Sequence, residues 1–143
     1  MTQSTYIPRK GGDVEFGQAD LTSLNINNLP VSTKQAFAAV TADGAITITA
    51  ATKTYFITKA GVAAMTIVDP TATTHDGVAL TFIATTANAH TLSNAAGSGF
   101  FSSGGATKDV ATFGGAIGDG LAIIAYQGKW YLDPRGVTNV TLG

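Results

Sequence analysis

The sequence predicts an all-β protein: an antiparallel β-sandwich or small β-barrel preceded by an extended N-terminal arm. Three observations predict it. From residue 45 onward, short runs rich in β-branched and aromatic residues recur about every 8 to 15 residues, with Gly, Asp or Asn between them. No helix-length amphipathic segment separates these runs, which argues against a parallel α/β sheet. Charged residues make up only 12% of the 143 residues and hydrophobic residues 45%, against about 25% charged in ordinary globular domains. Thr, Ser, Asn, Gly and Ala must therefore form much of the surface, and Thr suits half-exposed strand faces.

The same quantities bound the function. A chain of this length fits one domain, or one domain with an arm, and can bury roughly two-thirds of its unfolded surface. So little surface charge gives weak protection against self-association, which points to life inside an assembly. A formal net charge of −1 offers no basic field for nucleic acid or anionic lipid. The absence of cysteine excludes disulfides and thiolate metal sites. The first ten residues lack an apolar signal core, and the longest apolar run falls short of the roughly 18 residues of a membrane span. A soluble protein made without Sec export is expected, with no nucleic-acid or membrane partner.

Residues 1–42 differ from the rest. They carry a basic pair, Arg9-Lys10, a Gly11-Gly12 break, and the sparse apolar residues Tyr6, Ile7, Val14, Phe16, Leu21, Leu24, Ile26 and Leu29. Pro8, the Gly pair and Pro30 interrupt any long element. The segment reads either as a partly disordered terminus or as an extended arm that orders on a neighbouring subunit. Apolar anchors without a core of their own favour the arm, because a free linker is usually more polar. Residues 32–40 suit one or two helical turns, with Ser32 or Thr33 as N-cap, or equally an extended chain.

The body is expected over 43–143. Asp43-Gly44 marks a turn. Ile46, Ile48 and Ala50 alternate with Thr47 and Thr49, a period-2 strand pattern. Further strands are expected over 53–59, 62–68 (ended by Asp69-Pro70), 77–85, 89–92 and 109–113. A Gly/Ser-rich passage over 95–106 encloses Phe100-Phe101. Residues 118–133 give the clearest local signal: a buried run (121–126), a tight Gln127-Gly128 turn, and a return strand with the only Trp. Residues 137–142 suit a final edge strand. No internal repeat is read.

Chemistry is sparse. His75, beside Asp69, Thr74 and Asp76, and His90 are the candidate bases or metal ligands. Two His with no Cys do not make a zinc spacing, so both are expected in structural or surface roles. Ser93, Ser98, Ser102 and Ser103 lie in Gly/Ala/Ser sequence with no nucleophile elbow. Gly97-Ser-Gly99 lacks the third Gly and the following helix of a dinucleotide loop. Most Asp residues fall at turns, where they bond backbone. No catalytic residue, cofactor or metal is expected. Tyr126, Trp130 and Tyr131 could form an aromatic platform for a saccharide, although a Trp on a hairpin is usually a packing anchor. Phe100 and Phe101 pack in their own chain or, as the functional reading, in a subunit interface, since adjacent strand residues face opposite ways.

The segments Asp43-Gly44 with Ile46-Thr47-Ile48, Tyr55-Phe56-Ile57-Thr58-Lys59-Ala60-Gly61, Met65-Thr66-Ile67 with Asp69-Pro70, His75-Asp76-Gly77-Val78-Ala79-Leu80-Thr81-Phe82, and Gly118-Asp119-Gly120-Leu121 with Gly128-Lys129-Trp130-Tyr131 together carry a family likeness. Over about residues 43–133 the chain resembles β-rich modules of tailed-bacteriophage structural proteins, notably capsid decoration (cement) and head or tail fibre proteins. The resemblance implies a non-enzymatic virion protein, often a homotrimer, on the capsid surface. Made in the host cytoplasm, it would bind the major capsid protein and clamp neighbouring subunits of the assembled head. The short chain, with no coiled coil or shaft repeat, favours the cement variant. The arm would then supply the capsid contacts, through Tyr6, Ile7, Arg9, Lys10, Val14, Phe16, Leu21, Leu24 and Ile26, with Phe100 and Phe101 between subunits. The alternative is a receptor- or carbohydrate-binding module of a phage head or tail fibre.

Overall fold

The computed structural model describes residues 35–143; the arm anchors from Tyr6 to Leu29 lie outside the described residues. Among the described residues, twelve strands form two mixed sheets. The larger has seven strands in the order β1-β3-β5-β10-β11-β7-β8, and the smaller five in the order β12-β9-β6-β4-β2. The strands are β1 Ala36–Val40, β2 Gly44–Ala45, β3 Lys53–Ile57, β4 Ala64–Thr66, β5 Ala79–Ala84 and β6 Thr91–Ser93, followed by β7 Phe100–Phe101, β8 Thr107–Lys108, β9 Val110–Phe113, β10 Gly120–Tyr126, β11 Lys129–Leu132 and β12 Val140–Leu142.

The all-β reading stands, but the antiparallel arrangement does not. The first six strands alternate between the sheets, so each strand pairs with the next-but-one and runs parallel to it. In the larger sheet Ala38 lies beside Tyr55 and Tyr55 beside Phe82. In the smaller sheet Gly44 lies beside Met65 and Met65 beside Leu92. The result is a short coil of three rungs. Parallel strands need a crossover connection, and here a strand of the opposite sheet provides it instead of a helix. The rungs differ in length, with Ala36 paired to Lys53 but Lys53 to Leu80; no sequence period therefore announces them. After the third rung the chain reverses. β10 and β9 pair antiparallel with β5 and β6, and β12 is the edge strand beyond β9.

Two other expectations change. Residues 36–40 are strand β1, paired with β3, where helical turns were one expectation over 32–40. The body consequently begins at Gln35 rather than at residue 43. Ala-rich sequence favours helix only weakly, and sheet pairing overrides it. The strand expected from residue 45 shrinks to Gly44–Ala45, although Ile46 remains buried and its N–H donates to Thr66 O at 2.7 Å. The Gly/Ser passage contains strand as well as loop, in β7.

One apolar cluster draws on both sheets. Tyr55, Ile57, Leu80, Phe82, Leu121, Ile123 and Trp130 come from the larger sheet, and Met65, Leu92, Ala111 and Phe113 from the smaller. Strict alternation puts them there: Leu80, Phe82 and Ala84 of β5 face in, while Ala79, Thr81 and Ile83 face out. Tyr55 stacks on Phe82 at 5.1 Å between ring centroids, a contact worth about 0.5–1.5 kcal/mol beyond its buried area.

The hairpin reading of 118–133 stands. Gln127 and Gly128 both have positive φ, 46° and 75°, as the twist-matched two-residue hairpin turn requires. Asp76 Oδ1 accepts from Gln127 N at 2.7 Å and fastens the turn to the preceding loop. Trp130 is fully buried, and its Nε1–H donates to Val68 O at 2.8 Å, linking the hairpin to the chain leaving β4.

Candidate interaction surface

The core-facing side of the larger sheet is set by Leu, Phe, Ile and Trp; period 2 then fixes what the other side presents. Phe37 and Phe56 stand at one end, Ile83 and Ile124 in the middle, and Tyr126, Tyr131 and Phe101 at the other end. Thr54 and Thr81 are the polar members of the inner rows, and Lys129 carries the only charge among these outward strand positions. Phe37 is 71% exposed, Tyr126 54% and Tyr131 39%. Phe37 meets Phe56 edge-on at 6.2 Å. Tyr131 lies 5.3 Å from Phe101 and 6.4 Å from Tyr126, ring to ring. Lys129 Nζ sits 4.8 Å above the Phe101 ring, where the ring quadrupole attracts it. Beside this cluster a groove of about 470 Å³ runs between Tyr131, Ser103 and Pro134.

The structure separates residues that the sequence grouped. Phe100 is fully buried in its own core and offers nothing to another subunit. Phe101 faces out and is half-buried. Of the candidate platform, Trp130 is inside, while Tyr126 and Tyr131 are outside. Phe37 and Lys129 were not singled out from the sequence. For Lys129 the signal was available in the alternation around Trp130: if Trp130 faces in, Lys129 and Tyr131 face out.

The histidines are held as acceptors of backbone N–H groups. His90, fully buried, accepts at Nδ1 from Ala63 N at 3.0 Å, so its neutral ring carries the proton on Nε2, 3.1 Å from Thr86 Oγ1. Thr86 passes the chain on to Lys59 O at 2.8 Å. His75 Nδ1 accepts from Thr71 N at 2.8 Å. His75 and Asp69 line a mostly apolar groove of about 610 Å³, together with Ile46, Ile48 and Val68. Among the described residues no serine hydroxyl bonds a histidine, and no three His, Cys, Asp or Glu side chains gather as metal ligands. No described helix is long and apolar enough to cross a membrane.

The titrating groups with displaced pKa values serve loops. The Ala116 N–H, with help from Asn139 Nδ2 and the Gly115 and Gly114 N–H groups, pulls the buried Asp119 carboxyl below its usual range against the opposing effect of burial. A hydrogen bond from Lys59, 2.6 Å away, lowers Asp43, and Arg135 lowers Asp133. Burial raises the Tyr55 phenol, whose OH donates to Thr47 O at 2.8 Å.

No protein-family model, curated protein or solved structure matches this chain.

Proposed function

We propose that this protein is a non-enzymatic virion structural protein: a capsid decoration protein that binds the outer surface of the assembled head as a homotrimer. The observation that carries the reading is the outward face of the larger sheet. It is almost uncharged and has exposed aromatic clusters at both ends. Monomeric proteins rarely leave such faces in water, and patches of this kind mark protein contacts. The low charge of the whole chain and its resemblance to phage decoration modules point the same way. In this reading the body is a two-layered sandwich, since each sheet has two edges, and residues 1–34 are the arm that grips the major capsid protein. A decoration protein that binds only the assembled shell stabilises it by mass action, and three linked arms multiply modest contacts.

The test is binding to purified, expanded capsid shells with and without residues 2–30. Full-length protein should decorate the shells at saturating occupancy, and the truncated protein should remain folded but fail to bind. Unchanged occupancy after truncation rules out the arm. The second reading, a saccharide-binding fibre module, has one observation in its favour, the exposed Tyr126 and Tyr131. Glycan binding that disappears in Tyr131→Ala with the fold intact would select it over decoration.

A further inference from the structure

The coil of parallel rungs is closed at one end and open at the other. At the closed end the chain reverses, and β10 and β9 cover β5 and β6. At the open end stand β1 and β2, the two strands of the first rung. Each is the last strand of its sheet and, among the described residues, is paired on one side only, β1 with β3 and β2 with β4. Between them the rung opens into a cleft of about 280 Å³, lined by residues 39–47 with Lys53 and Tyr55. Sheet edges are normally guarded by charge, proline or brevity. β8 has two residues and Lys108, and β2 has two residues. β1, Ala-Phe-Ala-Ala-Val, has neither charge nor proline along its five residues. Stacked repeats need a cap at each end, and the described residues supply one cap.

The chain before β1 has the length and the pattern of one more rung. A rung carries the chain from Ala36 to Lys53, or from Lys53 to Leu80, and Met1–Lys34 precede the body. In the second and third rungs the buried residues of the two strands fall ten residues apart: Tyr55 and Ile57 with Met65 and Ile67, then Phe82 with Leu92. Val14 and Phe16 stand ten residues before Leu24 and Ile26, with Glu15 and Asn25 alternating between them. We propose that residues 14–16 and 24–27 of a neighbouring copy dock on the open end as an added rung, the first stretch beside β1 and the second beside β2. Phe16 then lies next to Ala38 and Ile26 next to Gly44, as Tyr55 and Met65 do on the other side. In such strand addition the main chain supplies affinity and alternate side chains supply specificity. Exchange of an identical element between protomers costs little, and in a three-fold ring each arm caps the next copy, so no end stays open. Two short strands hold little by themselves. The exchange therefore rests on the homotrimer of the proposed function: the outward face brings the copies together and the arm fastens them, leaving Tyr6, Ile7, Arg9 and Lys10 for the capsid.

The chain has no cysteine, so engineered thiols report alone. In the proposed register Asn27 lies next to Ala45, an exposed residue, at the roughly 4.8 Å spacing of neighbouring strands, which a disulfide can bridge. Full-length Asn27→Cys and Ala45→Cys chains are mixed in equal amounts at trimer-forming concentration, without shells, and oxidised. Mass spectrometry should find a disulfide joining one chain of each kind. Phe16→Asp, added to the Asn27→Cys chain, should abolish that bond by setting a carboxylate against the core. Asn27→Cys mixed with Thr141→Cys, exposed on the opposite edge strand of the same sheet, should give no bond. Trimers without the mixed disulfide, an equal yield with Thr141→Cys, or a yield unchanged by Phe16→Asp would overturn the docking. A chain carrying both Asn27→Cys and Ala45→Cys decides whose arm is bound. It should link chain to chain, and disulfides confined within single chains would overturn the exchange. With no shell present, loss of these bonds leaves capsid binding intact as a reading, and failure to decorate shells leaves the bonds in place. Absence of any trimer removes the homotrimer and the exchange together.

Discussion

Asp119 is a carboxylate closed inside a cage of donors. It is 3% exposed, with Oδ2 accepting from Ala116 N at 2.8 Å and Oδ1 from Asn139 Nδ2 at 2.9 Å. The cage holds the loop entering β10 and, through Asn139, the approach to β12. Its native pKa lies below the unfolded value, so the sign of the pH effect follows. The stability it contributes is complete above the unfolded pKa of about 4 and is lost as pH falls through the lower native value. Asp119→Asn puts an NH₂ group against a backbone N–H or an unpaired Asn139, and should cost about 1–3 kcal/mol at neutral pH. Wild-type Tm should fall as acid is added below pH about 4, and the Asn variant, already lower, should fall less. Thermal melts across that range measure both. Trp130→Phe tests a different kind of tie: it removes the indole N–H that bonds Val68 O and part of a fully buried ring system, and should cost about 1–3 kcal/mol, read as a lower midpoint in urea.

Among the elements, the β10–β11 hairpin was legible because its information is local. Turn residues, buried run and return strand are contiguous, so residues 118–133 needed no knowledge of the rest. The parallel rungs were not legible, because Tyr55 beside Phe82, or Met65 beside Leu92, is a fact about segments far apart whose local patterns resemble those of hairpin strands. Reading successive strands as neighbours, the usual case, produced the antiparallel expectation. Residues 36–40 were open between helical turns and an extended chain: Ala-Phe-Ala-Ala-Val carries mixed preferences, and pairing with β3 decides. The candidate surface was half legible. Adjacent Phe100 and Phe101 had to part, but which faced out depended on pairing with Trp130 and Tyr131. The hairpin itself yields a paired expectation. Gly128→Val forces a β-branched residue to positive φ and should cost roughly 1–2 kcal/mol. Gln127→Asn, better suited to positive φ, should raise stability by a fraction of that. Opposite shifts in Tm from adjacent positions would establish that the turn, and not the removed side chains, sets the effect.

At the scale of the molecule, the two aromatic clusters stand toward opposite ends of one sheet: Phe37 and Phe56 on β1 and β3, and Tyr126, Tyr131 and Phe101 on β10, β11 and β7. That separation bears on which symmetry suits the proposed homotrimer. A two-fold dimer buries one patch against its own copy, whereas a three-fold ring joins two different patches, each chain presenting one and receiving the other. Two distinct aromatic patches on one face, whose outward strand positions carry a single charge at Lys129, meet the second requirement. Phe37→Lys and Tyr131→Lys each place an ammonium group at one end, on side chains 71% and 39% exposed, so neither should lower Tm appreciably. Each variant alone should sediment as monomer at concentrations where wild type forms trimers. Mixed in equal amounts, they should form heterodimers and go no further: the intact tyrosine end of the Phe37→Lys chain can meet the intact phenylalanine end of the Tyr131→Lys chain, while the remaining two ends are both charged. A two-fold interface between like patches gives a different result, since one of the two variants would then dimerise by itself. Sedimentation equilibrium of the singles and of the mixture separates these outcomes, and trimers persisting in either single variant would remove this face from the assembly.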